Sequence, residues 1–176
     1  MIIRKTELDH TYIIESEKLI DNRGFFARTF CIEELAKAGI EFHIVQCSIS
    51  FNSKKGTLRG LHYQCAPHEE AKIVGCNRGS IYDVVVDIRP GSPTFKKWIS
   101  IEISEDNNKS VYIPKGCAHG FQSLTENTVV FYQMNEFYHP ECARGINYND
   151  PSIKIKWPIK KMTISKKDAG LEIFKQ

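Results

Sequence analysis

The chain has 176 residues, a length that predicts one domain, residues 1–176, large enough to build a full hydrophobic core. Apolar residues make up 41% and charged residues 26%, the balance of an ordinary globular protein, which argues against disorder. The net charge of +3 comes from 24 basic and 21 acidic residues spread along the chain, so nucleic-acid binding is not expected.

Neither a membrane span nor a secretory signal is expected. No run approaches the roughly eighteen apolar residues of a membrane helix, and residues 1–5 lead into polar sequence. Six cysteines lie far apart, with no Cys-x-x-Cys pair of the kind that marks zinc or redox sites: Cys31, Cys47, Cys65, Cys76, Cys117 and Cys142. We expect reduced thiols and a cytoplasmic protein.

The N-terminal part of the chain predicts a strand, an aromatic arm and one helix. Residues 12–19 have strand composition, residues 21–24 are turn formers, and residues 25–30 are aromatic enough to extend. Residues 32–38 predict a short peripheral helix that ends at Gly39.

The middle of the chain predicts only strands. Short extended segments recur between turn residues at 43–50, 56–64, 71–76, 80–88, 98–104, 110–113, 120–124 and 128–137. Without β-α-β alternation, this pattern favours an all-β fold, a jelly-roll barrel with a few short peripheral helices and a ligand inside or at its mouth. In the tail, residues 149–176, Ser165 is a candidate cap for a short helix that contains Asp168.

The stretch 56–64 holds the first candidate chemistry. Arg59 and His62 are three apart and would lie on opposite strand faces unless a bulge at Gly60 turns them together. A histidine exchanges protons near neutral pH and an arginine holds an anion, so the pair suggests proton abstraction from a phosphorylated substrate. The alternative is a surface arginine beside a histidine that merely packs in the barrel.

His119 lies in a second informative stretch, 114–121, where Pro114 and Gly116 predict a tight turn at a barrel rim. Imidazoles and a carboxylate bind zinc, iron or manganese, which raises a metal hypothesis on His62, His68, Glu70 and His119. Against it, Gln64 occupies the place where a His-x-His pair would need its second histidine.

The remaining candidates are Lys72, Tyr132 and Tyr138. A buried lysine at the start of a strand is costly unless it faces an anion. The tyrosines are six apart, which places both on one face of the predicted strand, where one could donate a proton and the other stack on a flat ring. Asp83 and Asp87 share a strand face, and a structural role is favoured for both.

These residues occur in motifs that follow one another in a recognisable order. The motifs are Asp21-x-Arg23-Gly24-Phe25-Phe26, Leu58-Arg59-Gly60-Leu61-His62-Tyr63-Gln64, Lys72, Pro114-x-Gly116-x-Ala118-His119-Gly120-Phe121, Tyr132, Tyr138-x-Pro140-Glu141, Trp157-Pro158 and Ser165-x-Lys167-Asp168. Together they resemble the dTDP-4-dehydrorhamnose 3,5-epimerase family, from about residue 12 to residue 170.

The resemblance implies a cupin-type jelly roll that works without a metal or another cofactor. It implies inversion of the carbons that flank the ketone of a nucleotide-linked 4-keto-6-deoxy sugar, for a surface polysaccharide. The family is usually a homodimer, so an aromatic arm, residues 1–30, is expected to be exchanged with the partner subunit, and residues 149–176 to close the site.

The resemblance also implies roles for single residues. His62 is the base that removes the C3 or C5 proton, and Asp168 orients its imidazole. Tyr132 returns a proton from the opposite face of the sugar, and Lys72 stabilises the enolate oxygen. These roles suit the chemistry, because a proton beside a ketone is acidic enough for histidine only if the developing oxyanion is stabilised.

Substrate contacts are expected from Arg23, Phe26, Arg28, Gln46, Ser48, Arg59, His119, Tyr138 and Lys167. By resemblance, Arg59, Arg23 and Lys167 would hold the diphosphate, while Phe26 and Tyr138 would sandwich the nucleobase.

The chain departs from the family pattern at three places on the nucleotide side. Arg28 stands where many members have Glu, Gln46-Cys47-Ser48 stands for a common Gln-x-Asn, and Ala143 stands for a common ligand Glu. GDP-, CDP- and UDP-linked 4-keto sugars, heptoses included, therefore stay open as alternatives. Two further hypotheses are a metal-dependent cupin isomerase or dioxygenase, and a sugar-binding barrel without catalysis.

Overall fold

The computed structural model describes residues 1–175. Within that range the strands are β1 (Ile2–Lys5), β2 (Tyr12–Glu15), β3 (Lys18–Asp21), β4 (Gly24–Ala27), β5 (Gln46–Asn52), β6 (Thr57–Gln64), β7 (Lys72–Arg78), β8 (Ser80–Asp87), β9 (Trp98–Ser104), β10 (Lys109–Ile113), β11 (Cys117–Ser123), β12 (Thr128–Met134), β13 (Ala143–Gly145) and β14 (Thr163–Ile164). The helices are α1 (Ile32–Lys37) and α2 (Lys166–Ala169).

Two sheets form the barrel. The first has the strand order β1-β2-β10-β7-β12-β5, and the second has the order β13-β6-β11-β8-β9, with β14 added parallel to β6. The other pairings within these sheets are antiparallel, and strands that are distant in sequence lie side by side. The expected all-β, cupin-type jelly-roll class is confirmed, and the short helices lie at the periphery.

The barrel core lies between the two sheets. Val74 and Val130 of the first sheet pack against Val85 and Phe121 of the second, and all four are buried. Burial of an apolar side chain of this size stabilises the fold by roughly 1.5–3 kcal/mol. The outer face of the second sheet is also covered, because chain segments around Ile153 pack on it.

The helix α1 covers the outer face of the first sheet. Its buried Leu35 packs in a cluster with Phe42, Ile73 and Tyr112, while Glu33 and Glu34 occupy the first turn. The prediction of a helix over residues 32–38 is confirmed to within one residue.

The predicted strand 12–19 is in fact two strands. Strand β2 pairs with β1 and β10 in the first sheet, whereas β3 leaves that sheet and pairs only with β4, in a separate hairpin. The predicted turn at residues 21–24 connects β3 to β4. Sequence periodicity does not reveal this break, because both halves have strand composition and only their partners differ.

Strand β6 contains the predicted irregularity at Gly60. His62 pairs with His119 of β11, whereas Arg59 pairs with Phe121, so two residues of β6 face one residue of β11. This is a β-bulge, and it removes the strict alternation that would place Arg59 and His62 on opposite faces.

Among residues 1–175, no helix is long and apolar enough to cross a membrane.

Candidate active site

A cleft of about 400 Å³ opens between the two sheets. It is lined by Gln46, Ser48, His62, Tyr63, Gln64, Glu70, Lys72, Tyr132, Met134, Tyr138, Ala143, Arg144, Gly145, Lys167 and Leu171. The structure thus brings seven of the expected site residues to one cavity, although they are spread over more than a hundred positions of sequence.

His62 projects from β6 and pairs with Asp168. The distance between His62 Nε2 and Asp168 Oδ1 is 2.9 Å, and Asp168 is buried although the imidazole is half exposed. Burial lowers the pKa of His62, as do nearby Lys72 and His119, although Asp168 acts in the opposite direction. The imidazole is therefore neutral at physiological pH, as a base must be.

Asp168 is held in place by the short C-terminal helix. Ser165 caps α2 by accepting a hydrogen bond from the Asp168 amide at 3.0 Å, which confirms the predicted cap. Strand β14, which leads into α2, pairs with the start of β6. This pairing places the Asp168 carboxylate beside β6, where its Oδ2 lies 3.4 Å from the Gly60 amide nitrogen.

Lys72 is buried at the start of β7 and forms an ion pair with Glu70. The expectation that a buried ammonium here must face an anion is thus met, and the anion is the residue proposed above as a metal ligand. The Glu70-x-Lys72 spacing, which puts both side chains on one side of an extended segment, is the sequence signal for this pair.

Tyr132 projects from β12, on the sheet opposite His62. Burial raises the pKa of Tyr132 well above its usual value, and nearby Asp83 adds to this, so the phenol keeps its proton at neutral pH. Its ring stands nearly perpendicular to the His119 ring, with 6.3 Å between centroids. A neutral imidazole and a protonated phenol therefore lie on opposite walls of the cleft.

His119 is buried behind this site. Its Nε2 lies 2.7 Å from Oδ2 of Asp83, which is also buried. The other oxygen of Asp83 has no hydrogen-bond partner among residues 1–175. Asp87, on the same strand, instead accepts hydrogen bonds from Arg89, Ser92 and Thr94 of the loop that follows. Burial opposes the ionisation of Asp87, yet these hydrogen bonds hold its pKa far below the usual range.

Tyr138 lies outside the strand that was predicted for it. Strand β12 ends at Met134, so Tyr132 and Tyr138 do not share a strand face, although both line the cleft. The Tyr138 amide donates to Gln46 Oε1 at 2.6 Å, and the ring is largely exposed.

Arg59 donates from Nε to Asn52 Oδ1 at 2.8 Å, a partner that the sequence did not indicate.

Five expected substrate contacts do not line this cleft: Arg59 and His119, whose partners are given above, and Arg23, Phe26 and Arg28. Arg23 and Phe26 lie on the exposed β3-β4 hairpin, where Arg23 pairs with Asp21. Arg28 follows that hairpin and its Nη1 lies 2.9 Å from Glu34 Oε1. Within a single chain, therefore, the nucleotide side of the expected site is incomplete.

The ligand set of the metal-dependent alternative is not brought together. His62 pairs with Asp168, His119 pairs with Asp83 and Glu70 pairs with Lys72. Among residues 1–175, the group of three or more possible ligands whose atoms lie within 4.8 Å of one another contains only His68 from that set.

Comparison with known proteins agrees with this geometry. The family model described as dTDP-4-dehydrorhamnose 3,5-epimerase matches residues 5–176. A relative of that name from Shigella flexneri is 42% identical over 177 residues, covering 99% of this chain and 96% of the relative. Another, from Sinorhizobium fredii, is 40% identical and covers 94% of this chain and 90% of the relative.

Solved structures give the same result. The dTDP-4-dehydrorhamnose 3,5-epimerase of Bacillus anthracis, with TDP and PPi bound, has a TM-score of 0.96 at 35% identity and covers 98% of this chain and 99% of its own. The 3,5-epimerase of Legionella pneumophila, in complex with dTDP-4-keto-L-rhamnose, has a TM-score of 0.92 at 40% identity, with 98% and 92% covered. The chain therefore belongs to the dTDP-4-dehydrorhamnose 3,5-epimerase family.

Proposed function

We propose that this protein is a dTDP-4-dehydrorhamnose 3,5-epimerase, which inverts the two carbons beside the ketone of a dTDP-linked 4-keto-6-deoxy sugar. The observation that carries the proposal is the cleft itself, with the His62-Asp168 pair on one wall, Tyr132 on the other and Lys72 beside them. Inversion needs a base and an acid on opposite faces of the sugar ring, and this arrangement supplies both.

His62 removes the proton. Because the Asp168 carboxylate can only accept, the Nε2-H of the neutral imidazole donates to it, which leaves the Nδ1 lone pair as the base. When Nδ1 takes the proton, the buried carboxylate stabilises the imidazolium.

Lys72 stabilises the enolate that forms when the C-H bond breaks. Its ammonium charge is fixed in the cleft by Glu70, and a positive group is most effective where water is excluded. Tyr132 then donates its proton to the opposite face of the carbon. One inversion leaves an imidazolium and a phenolate, and proton exchange with water returns both groups to their starting states.

The substrate side of the proposal assigns the diphosphate to Arg59, Lys167 and Arg23. Lys167 lines the cleft, and Arg59 is near enough to Tyr132 to act on its pKa, so both are cations that could hold phosphate oxygens. His119 would contact the sugar, with Gln46, Ser48 and Arg28 on the nucleotide side. The relatives favour dTDP over the GDP, CDP and UDP alternatives, since they carry the dTDP name.

We further propose a homodimer with exchanged arms, each chain otherwise forming a single jelly-roll domain. The β3-β4 hairpin pairs only with itself, and its Leu19, Ile20 and Phe26 are 69%, 79% and 69% exposed. An exposed apolar hairpin of this kind is expected to be covered by another surface. The cleft of a partner subunit, in which no Phe26 of its own chain is present to stack on the nucleobase, is a surface that the hairpin could cover. The described part of the tail, residues 149–175, would close the cleft from the other side, with Lys167 and Leu171.

The cysteine pattern favours the cytoplasm as the compartment. The six cysteines, none in a Cys-x-x-Cys pair, fit a reducing environment better than a disulfide framework.

Deuterium exchange tests the proposed reaction directly. The purified protein, given a dTDP-linked 4-keto-6-deoxy sugar in deuterated water, is expected to place deuterium at C3 and C5 and to produce the epimer, as followed by NMR. The His62→Ala variant, with its fold checked by circular dichroism, is the control and should do neither. Tight substrate binding without any exchange would favour the sugar-binding barrel instead.

A further inference from the structure

A group of possible metal ligands lies near the cleft but outside it. It comprises His68, Glu136 and His139, whose ligand atoms lie within 4.8 Å of one another, and we refer to these three as the rim cluster. His68 belongs to the turn that follows β6, and the other two belong to the segment that follows β12. None of the three has a role in the proposed epimerase chemistry.

The two imidazoles of the rim cluster lie close together. The His68 and His139 rings are stacked with 3.4 Å between centroids and 10° between planes. The carboxylate of Glu136 lies 4.0 Å from His68 Nδ1. Zinc binds imidazole nitrogen and carboxylate oxygen at about 2.0–2.2 Å, so two ligand atoms on one ion lie within about 4.4 Å of each other. The ligand atoms of the rim cluster lie within 4.8 Å of one another, and the stacked rings, which are partly exposed, would have to turn toward a shared ion.

Two thiols adjoin the rim cluster. Cys65 and Cys142 face each other beyond the last pair of β6 and β13, where the Cys65 amide donates to the Cys142 carbonyl at 3.0 Å. Their thiols are in contact, and the His68 amide faces the Cys142 sulfur. In sequence the four residues form Cys65-x-x-His68 and His139-x-x-Cys142, but neither sulfur is among the ligand atoms that lie within 4.8 Å of one another, so the thiols border the rim cluster without belonging to it.

The backbone around the rim cluster is held in place by hydrogen bonds to the Gln64 side chain. The Gln64 side chain donates to the carbonyls of His68 and Phe137, at 2.9 and 3.1 Å, and accepts from the His139 amide at 2.7 Å. The two ligand-bearing segments are thus held together before any ion binds. Such preorganisation reduces the entropy cost of forming a metal site.

We propose that the rim cluster binds one divalent ion of the zinc class through His68, Glu136 and His139, with water completing the coordination. The ion joins the turn that leads to Glu70 and Lys72 to the segment that carries Tyr138. Its role is structural, since it would stabilise one edge of the cleft without touching the reacting carbons.

Zinc titration of the tag-free, chelator-treated protein tests this proposal. We expect one zinc per chain by calorimetry and elemental analysis, and a rise in melting temperature, because an ion that binds only the folded state stabilises it. His139→Ala and the double variant His68→Ala/His139→Ala should weaken binding at least tenfold. The exposed histidine His10, changed to Ala, is the matched control.

Cobalt substitution tests the ligand set. The wild-type protein loaded with Co²⁺ should show visible absorption without a thiolate-to-cobalt charge-transfer band, and Cys142→Ser should leave the spectrum unchanged. A charge-transfer band that Cys142→Ser abolishes would overturn the three-residue ligand set. Absence of saturable binding, or equal binding by the double histidine variant, would overturn the site and leave an ordinary hydrogen-bonded cluster.

Discussion

At the scale of single residues, the site depends on ionisation states that burial sets in opposite directions. Burial lowers the pKa of His62 and raises that of Tyr132, so at neutral pH one group is ready to accept a proton and the other to donate one. The same physical effect thereby gives the two groups distinct roles.

The acidic limb of the pH profile follows from the His62 environment. The base must be neutral, so kcat/KM should fall only as the pH drops through the pKa of His62, which burial places below the usual value of about 6.5. Asp168→Asn removes the contact that raises this pKa, so the midpoint should move further down while the plateau rate falls. A midpoint above that of an ordinary histidine would contradict this assignment.

Replacement of the phenol should separate exchange from inversion. Tyr132→Phe leaves the His62-Asp168 pair intact, so deuterium exchange on the His62 face should continue. Epimer formation should fall by about 10²–10⁴-fold, because the proton donor on the opposite face is lost. Both quantities can be read from one NMR time course, with His62→Ala as the control that loses both. Inversion at the wild-type rate would remove Tyr132 from the mechanism.

At the scale of elements, the bulge in β6 positions His62, the proposed base. Gly60 has φ of +109°, and a Cβ there would lie 2.6 Å from the His119 carbonyl and 2.7 Å from the Gly120 Cα. Only glycine permits this close approach of β6 to β11.

Gly60→Ala should therefore be costly. We expect a loss of about 1–3 kcal/mol in the free energy of unfolding and a fall in kcat, because the strain displaces neighbouring His62. Gly75→Ala is a matched control, since a Cβ at Gly75 meets only ordinary contacts. Chemical denaturation and steady-state kinetics provide the two measurements, and a Gly60→Ala variant with wild-type values for both would contradict the argument.

At the scale of the whole molecule, the proposed site needs two chains. The cleft contains His62 and Tyr132, whereas Phe26 and Arg23 lie on a hairpin that stands apart from it. The edge strand β5 also exposes Ile49 and Phe51, at 70% and 55%, so the uncovered apolar surface is not limited to the hairpin. Two copies related by a two-fold axis could cover both surfaces at once.

Subunit mixing tests this arrangement. His62→Ala and a Phe26→Ala/Arg23→Ala variant should each have low activity alone. After joint refolding, about half of the dimers are mixed and each has one intact site, so about a quarter of the wild-type activity should return. Sedimentation analysis checks that both variants are dimers. No recovery in mixed dimers would mean that each arm serves its own chain.

The sequence by itself determined the strand-rich pattern, the jelly-roll class, α1, the Ser165 cap and the ordered motifs of the family. These are local signals, since each depends on residues within a few positions of one another or on a pattern read directly from the chain. The bulge at Gly60 was only a condition at the level of sequence, since Arg59 and His62 would otherwise lie on opposite strand faces, and the pairing of β6 with β11 established it.

Only the tertiary structure decided several of the side-chain partners and strand boundaries. Strands far apart in sequence pair in the sheets, so the Asp83-His119 pair, the break between β2 and β3, and the position of Tyr138 beyond β12 depend on contacts that no local pattern encodes. The rim cluster is a further case, since His68 and His139 are far apart in sequence and meet only because β13 returns to the end of β6.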